Sequence, residues 1–139
     1  MDTLQCAVVL AKLGRLDWEL QRRREIGAVY HRRLAALNLQ TLTVRPDRDS
    51  VWGQYTVRVA NRAHVQAQLA EAGVPTAVHY PKPLHRQPAY VKYGDPDGCP
   101  ISLAAAEEVM SLPMSADLSD TDLDRVVAAL AAAVGLRAQ

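Results

Sequence analysis

Lysine is scarce in this 139-residue sequence: Lys12, Lys82 and Lys92 stand against thirteen arginines, and there is no phenylalanine at all. Only two cysteines occur, Cys6 and Cys99, and they show no CxxC spacing. That leaves neither a zinc ribbon nor a disulfide framework to expect. Cys6 lies in an apolar run and reads as a small buried hydrophobe, and two free thiols suit a reducing cytoplasm. No apolar stretch approaches the ~20 residues that a membrane helix needs. The opening MDTLQCAVVL has an acid at position two and no basic n-region, so no signal peptide is expected. The formal net charge is +1, which gives no electrostatic case for nucleic acid or membrane surfaces as partners. No GxSxG elbow and no glycine-rich phosphate loop is present. Seryl hydrolysis and mononucleotide cradling therefore lack support.

What is present describes a globular chain: 49% hydrophobic and 22% charged residues, enough for one modest core. Residues 2–37 read as one long helix or two stacked ones. Val9, Leu13, Leu16, Leu20, Gly27, Tyr30, Leu34 and Leu37 recur at spacings of three and four, with a bend expected at Gly14. The stretch from Leu4 to Leu10 is apolar nearly all round and predicts burial on several sides, which hints at sequence preceding Met1. Arg22–Arg23–Arg24 and Arg32–Arg33 read as a solvated helix face, since Glu19 and Glu25 lie beside them.

Downstream, strands are expected at 51–59 and 76–80 and at 110–113, with a shorter one at 42–44. A helix at 62–72 is capped by Asn61 and ended by Gly73. Further helices are expected at 101–109 and 120–134, the last capped by Ser119 with Asp122 three positions on. The turn at 94–98 and the three prolines of 81–88 break regular structure. The order predicts a small α+β layer, a long N-terminal helix followed by a three-stranded sheet with helices.

The segment from Val78 to Tyr90 carries the densest chemistry. A strand end and a proline-stiffened loop present His79, Tyr80, His85, Arg86 and Tyr90 at low ordering cost, groups able to hydrogen-bond an anionic or polyhydroxyl ligand. An ordinary surface loop remains the alternative at this level. A metal set of His79, His85 and Cys99 lacks the spacing of a structural zinc centre.

Several strings resemble the DegT/DnrJ/StrS family of pyridoxal-phosphate (PLP) sugar aminotransferases. MDTLQCA at 1–7 resembles the family's MDxLQAA helix start, and VWGQYTVR at 51–58 its first small-domain strand. LAEAGVPTAVHYPKPLH at 69–85 is the most diagnostic match, and MSLPM at 110–114 resembles the following LSLPM strand. Together they span residues 1 to about 130, and the 54–89 region is most similar to the branch that aminates UDP-2-acetamido-2-deoxy-3-oxo-glucuronate.

The resemblance implies the C-terminal domain of a fold-type-I aminotransferase, with residues 1–37 an interdomain helix segment and 38–139 the small domain. It implies a homodimer, PLP as cofactor, glutamate as amino donor and a nucleotide-sugar substrate approached by His79, Tyr80 and His85. The family's catalytic lysine lies upstream of the MDxLQ helix, and neither Lys12 nor Lys82 matches its position. The Asn-x-Arg that precedes that helix is missing too, and Ser115–Ala116 stands where His-Pro is frequent. The resemblance thus implies no catalytic residue and no PLP-binding residue in this chain, and predicts that it is a fragment inactive alone. Two other readings stand beside this one: a binding or dimerisation module using the apolar face of residues 4–20, and a free-standing metalloenzyme.

Overall fold

The computed structural model describes residues 2–95 and 97–136. Met1 of the MDxLQ match and Pro96 of the expected 94–98 turn lie outside them. Helix α1 (Thr3–Leu13) begins on a capping box in which Asp2 accepts from the Gln5 amide and the Gln5 side chain accepts from the Asp2 amide. A turn at Gly14 and Arg15 separates it from α2 (Leu16–Ala36). The N-terminal region is therefore two helices, as the glycine suggested. Strand β1 (Gln40–Thr41), β2 (Tyr55–Arg58), helix α3 (Arg62–Glu71), helix α4 (Pro100–Glu108), β3 (Val109–Leu112) and helix α5 (Asp120–Ala133) follow.

The sheet order is β1-β2-β3, antiparallel throughout, with Tyr55 opposite Leu112 and Val57 opposite Met110. Alternation in β2 turns Tyr55 and Val57 inward and leaves Thr56 and Arg58 half-buried. Against the inward side pack Ile26, Tyr30 and Leu34 of α2, Val65 and Leu69 of α3, and Leu123, Val126 and Leu130 of α5. These form one core of helices on one sheet face. Tyr30 stacks tilted on Tyr55 with centroids 4.8 Å apart, and its hydroxyl donates to the Pro113 carbonyl at 2.8 Å. Burial pushes both phenols up, Tyr55 to about 12, where the nearby Thr41 side chain only partly opposes it.

Several expectations need correction. The segment 76–80 is not a strand: Ala77 makes a single antiparallel bridge to Ser111, because Pro75 and Pro81 deny the run a second ladder partner. The third strand is β1 at 40–41, shifted from the expected 42–44. The strand expected at 51–59 is confined to 55–58, since Trp52 at φ +46° turns the chain before it. Asn61 does precede α3, but in the left-handed region and without a side-chain cap bond. Ser119 caps α5 as expected, its Oγ accepting from the Asp122 amide at 3.1 Å.

The arginine face of α2 is solvated only in part: Arg32 stays exposed, whereas three others are engaged. Arg22 donates to Asp120 and to the Leu118 carbonyl and Arg33 to Asp124, tying α2 to α5 and its approach, while Arg23 donates to the Trp52 carbonyl ahead of β2. The head of the chain is also not buried: α1 has no buried residue, Leu4 is 81% and Leu10 69% exposed, and Cys6 is only half-buried. Among the described residues, no helix is long and apolar enough to cross a membrane.

Truncating a core side chain and an α1 side chain should therefore differ sharply. Leu130→Ala is expected to cost about 2–5 kcal/mol, and Leu10→Ala within about 0.5 kcal/mol, read from urea midpoints. Alkaline titration gives a second check. Above pH ~10 the unfolded chain ionises its phenols while the raised folded values hold Tyr30 and Tyr55 neutral. The phenols' contribution to stability, constant below that pH, should fall as pH rises from about 10 towards 12. Tyr55→Phe should make the fall shallower.

Candidate functional site

Beyond α3 the chain turns on Gly73, whose φ of +70° suits glycine at a helix end. Val74 is buried, and Ala77 pairs with Ser111 in both directions, its amide at 3.2 Å and its carbonyl at 2.7 Å. This bridge anchors the segment to the edge of β3 two residues before His79. Ser111 is held in turn by the Thr56 hydroxyl at 3.1 Å. The loop then leaves the body of the domain.

From Pro81 to Cys99 the loop is held by its own turns. Short 3₁₀ segments occur at Leu84–Arg86 and Val91–Tyr93. The Gln87 side chain donates to the Lys82 carbonyl at 3.1 Å, and Arg86 pairs with Asp97 at 2.6 Å across eleven residues. Proline and these closures stiffen a segment with almost no buried side chain.

His79 and Tyr80 are both exposed and meet edge-on, ring centroids 5.8 Å apart. Neither makes a side-chain hydrogen bond among the described residues, so imidazole and phenol stay available to a ligand. They face different concavities. His79 lines a groove of about 280 Å³ with Gln54, Thr76 and Ser111, and Tyr80 lines an apolar one of about 650 Å³ with Leu84, Pro88 and Tyr90. His85 lies apart from both: it is half-buried, and its Nε2 is inaccessible and unpartnered. The structure thus brings the His79 and Tyr80 rings together, while His85 lines neither of their grooves. Arg86 is engaged with Asp97. Gln54, beside His79, is a candidate the sequence does not single out, because it stands in a turn whose nearness to residue 79 comes only from the Ala77–Ser111 bridge.

No group of three His, Cys, Asp or Glu able to hold a metal occurs among the described residues. His79, His85 and Cys99 do not converge.

Residues 1–131 match the DegT/DnrJ/EryC1/StrS aminotransferase family. The chain belongs to this family. Over 130 residues it is 42% identical to UDP-2-acetamido-2-deoxy-3-oxo-D-glucuronate aminotransferase of Pseudomonas aeruginosa, covering 94% of this chain and 36% of that protein. Its fold superposes on a DegT/DnrJ/EryC1/StrS aminotransferase from Brucella abortus with TM-score 0.89 and 34% identity, over 97% of this chain and 36% of the other. The PLP form of the sugar aminotransferase Spr1654 from Streptococcus pneumoniae gives 0.81 at 28% identity, over 91% and 34%. The chain spans about a third of the length of these relatives.

Family members depend on PLP, and the lysines of this chain test the fit. An amine that attacks a carbonyl needs desolvation or a neighbouring cation to be free base near neutral pH. Lys12, Lys82 and Lys92 are all exposed, and Lys92 lies over the Tyr93 ring at 4.9 Å. No enclosed lysine exists among the described residues. The residues present do not fit the cofactor.

Proposed function

We propose that this chain serves as the small C-terminal domain of a nucleotide-sugar aminotransferase, with the PLP-binding domain supplied by polypeptide beyond these residues. In that assembly residues 1–37 form the interdomain segment and 38–139 the small domain. The observation that carries the reading is the 79–90 loop. It projects an unpartnered imidazole and phenol from a bridge fixed to β3, on a chain whose family membership covers residues 1–131.

His79 and Tyr80 then orient the substrate's anionic and hydroxyl groups, for which ring N–H and phenolic O–H donors are suited. His85 is included for its buried, unpartnered Nε2, which a rearranged loop would bring to a ligand. The substrate class is a keto-sugar nucleotide aminated at the expense of glutamate. The similarity to the Pseudomonas aeruginosa enzyme favours a UDP-linked 3-oxo-glucuronate for surface polysaccharide. A cytoplasmic setting agrees with the two free cysteines.

The exposed Leu4, Val8, Leu10 and Leu13 of α1 support the same picture, since an apolar helix of this kind gains from cover. In the assembly that cover is the missing domain. A homodimer or a full-length homologue would supply it to a binding or dimerisation module instead.

The test replaces the corresponding third of the Pseudomonas aeruginosa relative with this chain. The chain alone should show no glutamate-dependent amination of a keto-sugar nucleotide, and no single-site lysine adduct on borohydride treatment with equimolar PLP. The chimaera should turn over, and His79→Ala or Tyr80→Phe in it should raise KM by roughly tenfold. A folded, PLP-loaded chimaera without turnover, or turnover by the chain alone, contradicts the proposal.

A further inference from the structure

On the flank of α2, beside the core, a groove of about 380 Å³ runs between the helix and the 42–52 loop. Its floor is low because Gly27 and Ala28 sit in the middle of the helix, and its wall includes Trp52. The indole lies so close to Gly27 that a Cβ there would come within 2.5 Å of its Nε1. Only glycine admits the ring. Trp52 itself holds φ +46°, an uncommon conformation for a bulky residue, and its amide is fixed by Ser50 Oγ at 3.2 Å. Leu42 and Val44 complete the apolar side.

The rim is cationic. Arg24, His31 and Arg32 fall at i, i+7 and i+8, so helical periodicity gathers them over the Gly27–Ala28 floor. Every described arginine except two donates at least one hydrogen bond to a carboxylate or carbonyl. The two exceptions are Arg24 and Arg32, and both line this groove. Arg24 stands 3.5 Å from the Asp49 carboxylate without a hydrogen bond, and its Nε is inaccessible and unpartnered. Arg32 has neither ion pair nor hydrogen bond among the described residues. His31 Nδ1 is 3.2 Å from Thr41 Oγ1, which leaves its Nε2 uncommitted. Asp49 answers one guanidinium charge and nothing answers the other.

We propose that this groove binds a small molecule that carries an oxyanion on a flat apolar body. The oxyanion lies at the Arg32–His31 end, taken by the planar guanidinium fork, and the body lies over Gly27 and Ala28 against Trp52. The volume is within the range of small-ligand pockets and far exceeds a bare anion. None of His79, Tyr80 and His85 borders it, so this inference stands or falls apart from the aminotransferase reading.

The test is an NMR titration of the chain with phenyl phosphate, read at the indole N–H of Trp52. Benzyl alcohol and inorganic phosphate are run as partial probes. Trp18 is the internal control, since it has an arginine over its ring, Arg15 at 4.7 Å, and lies outside the groove. Phenyl phosphate should give a saturable shift at Trp52 and not at Trp18, tighter than either partial probe. Arg32→Gln, at an exposed residue without a partner, should keep the fold and weaken binding about tenfold. Benzoate separates the two sources of oxyanion: if it titrates like phenyl phosphate the natural group is a carboxylate, and if only the phosphate ester binds it is a phosphate. Equal, unsaturable drift at both tryptophans, or unchanged affinity in Arg32→Gln, overturns the proposal.

Discussion

One aromatic stack fixes how the long helix meets the sheet. Tyr30 packs on Tyr55 at 4.8 Å, Tyr55 packs on Trp52 at 4.9 Å, and the Tyr30 hydroxyl reaches the Pro113 carbonyl at 2.8 Å. Each tilted pair contributes on the order of 0.5–1.5 kcal/mol beyond its area. The geometry does more than the energy. It sets the exit of β3 at Pro113, a short step from Ser111, which holds Ala77 and hence the root of the His79–Tyr80 loop. It also places the Trp52 indole over Gly27, one helical turn from Tyr30 on α2. The groove at His79 and the groove at Trp52 both depend on this contact.

Much of the framework was legible because it follows local rules. The Tyr30–Leu34 part of the helical stripe, the Ser119 cap, the glycine stop after α3 and the alternation through Tyr55 and Val57 all state themselves in three to five residues. The misreadings share a different cause. Residues 76–80 have β-forming composition, yet strand formation needs a neighbour, and only Ala77 has one. The arginine run of α2 looks like surface until α5 and its approach fold beside it and supply Asp120, Asp124 and the Leu118 carbonyl. Which arginines remain without a hydrogen bond is a property of the tertiary structure alone. So is the burial of the His85 Nε2, since the spacing along the chain gives no loop path.

The recognisable strings reach further than the pattern rules. The LAEAGVPTAVHYPKPLH stretch points to the family, and the match over residues 1–131 confirms it. What the family name brings for a whole enzyme is divided unequally over this chain. It contains the rigid platform and the projecting loop, while its three lysines are all exposed. The apolar α1, with Leu4, Leu10 and Leu13 open to water, stands at the other end of the division. A core that closes on itself without α1 and without the loop is the central physical claim.

Amide hydrogen exchange on the purified chain tests that claim most directly, because protection reports which hydrogen bonds open only with the whole fold. The slowest amides should be those of β2, β3, α5 and the half of α2 around Tyr30, with α1 and residues 79–99 exchanging orders of magnitude faster. Protection of α1 equal to that of β2 would contradict the account.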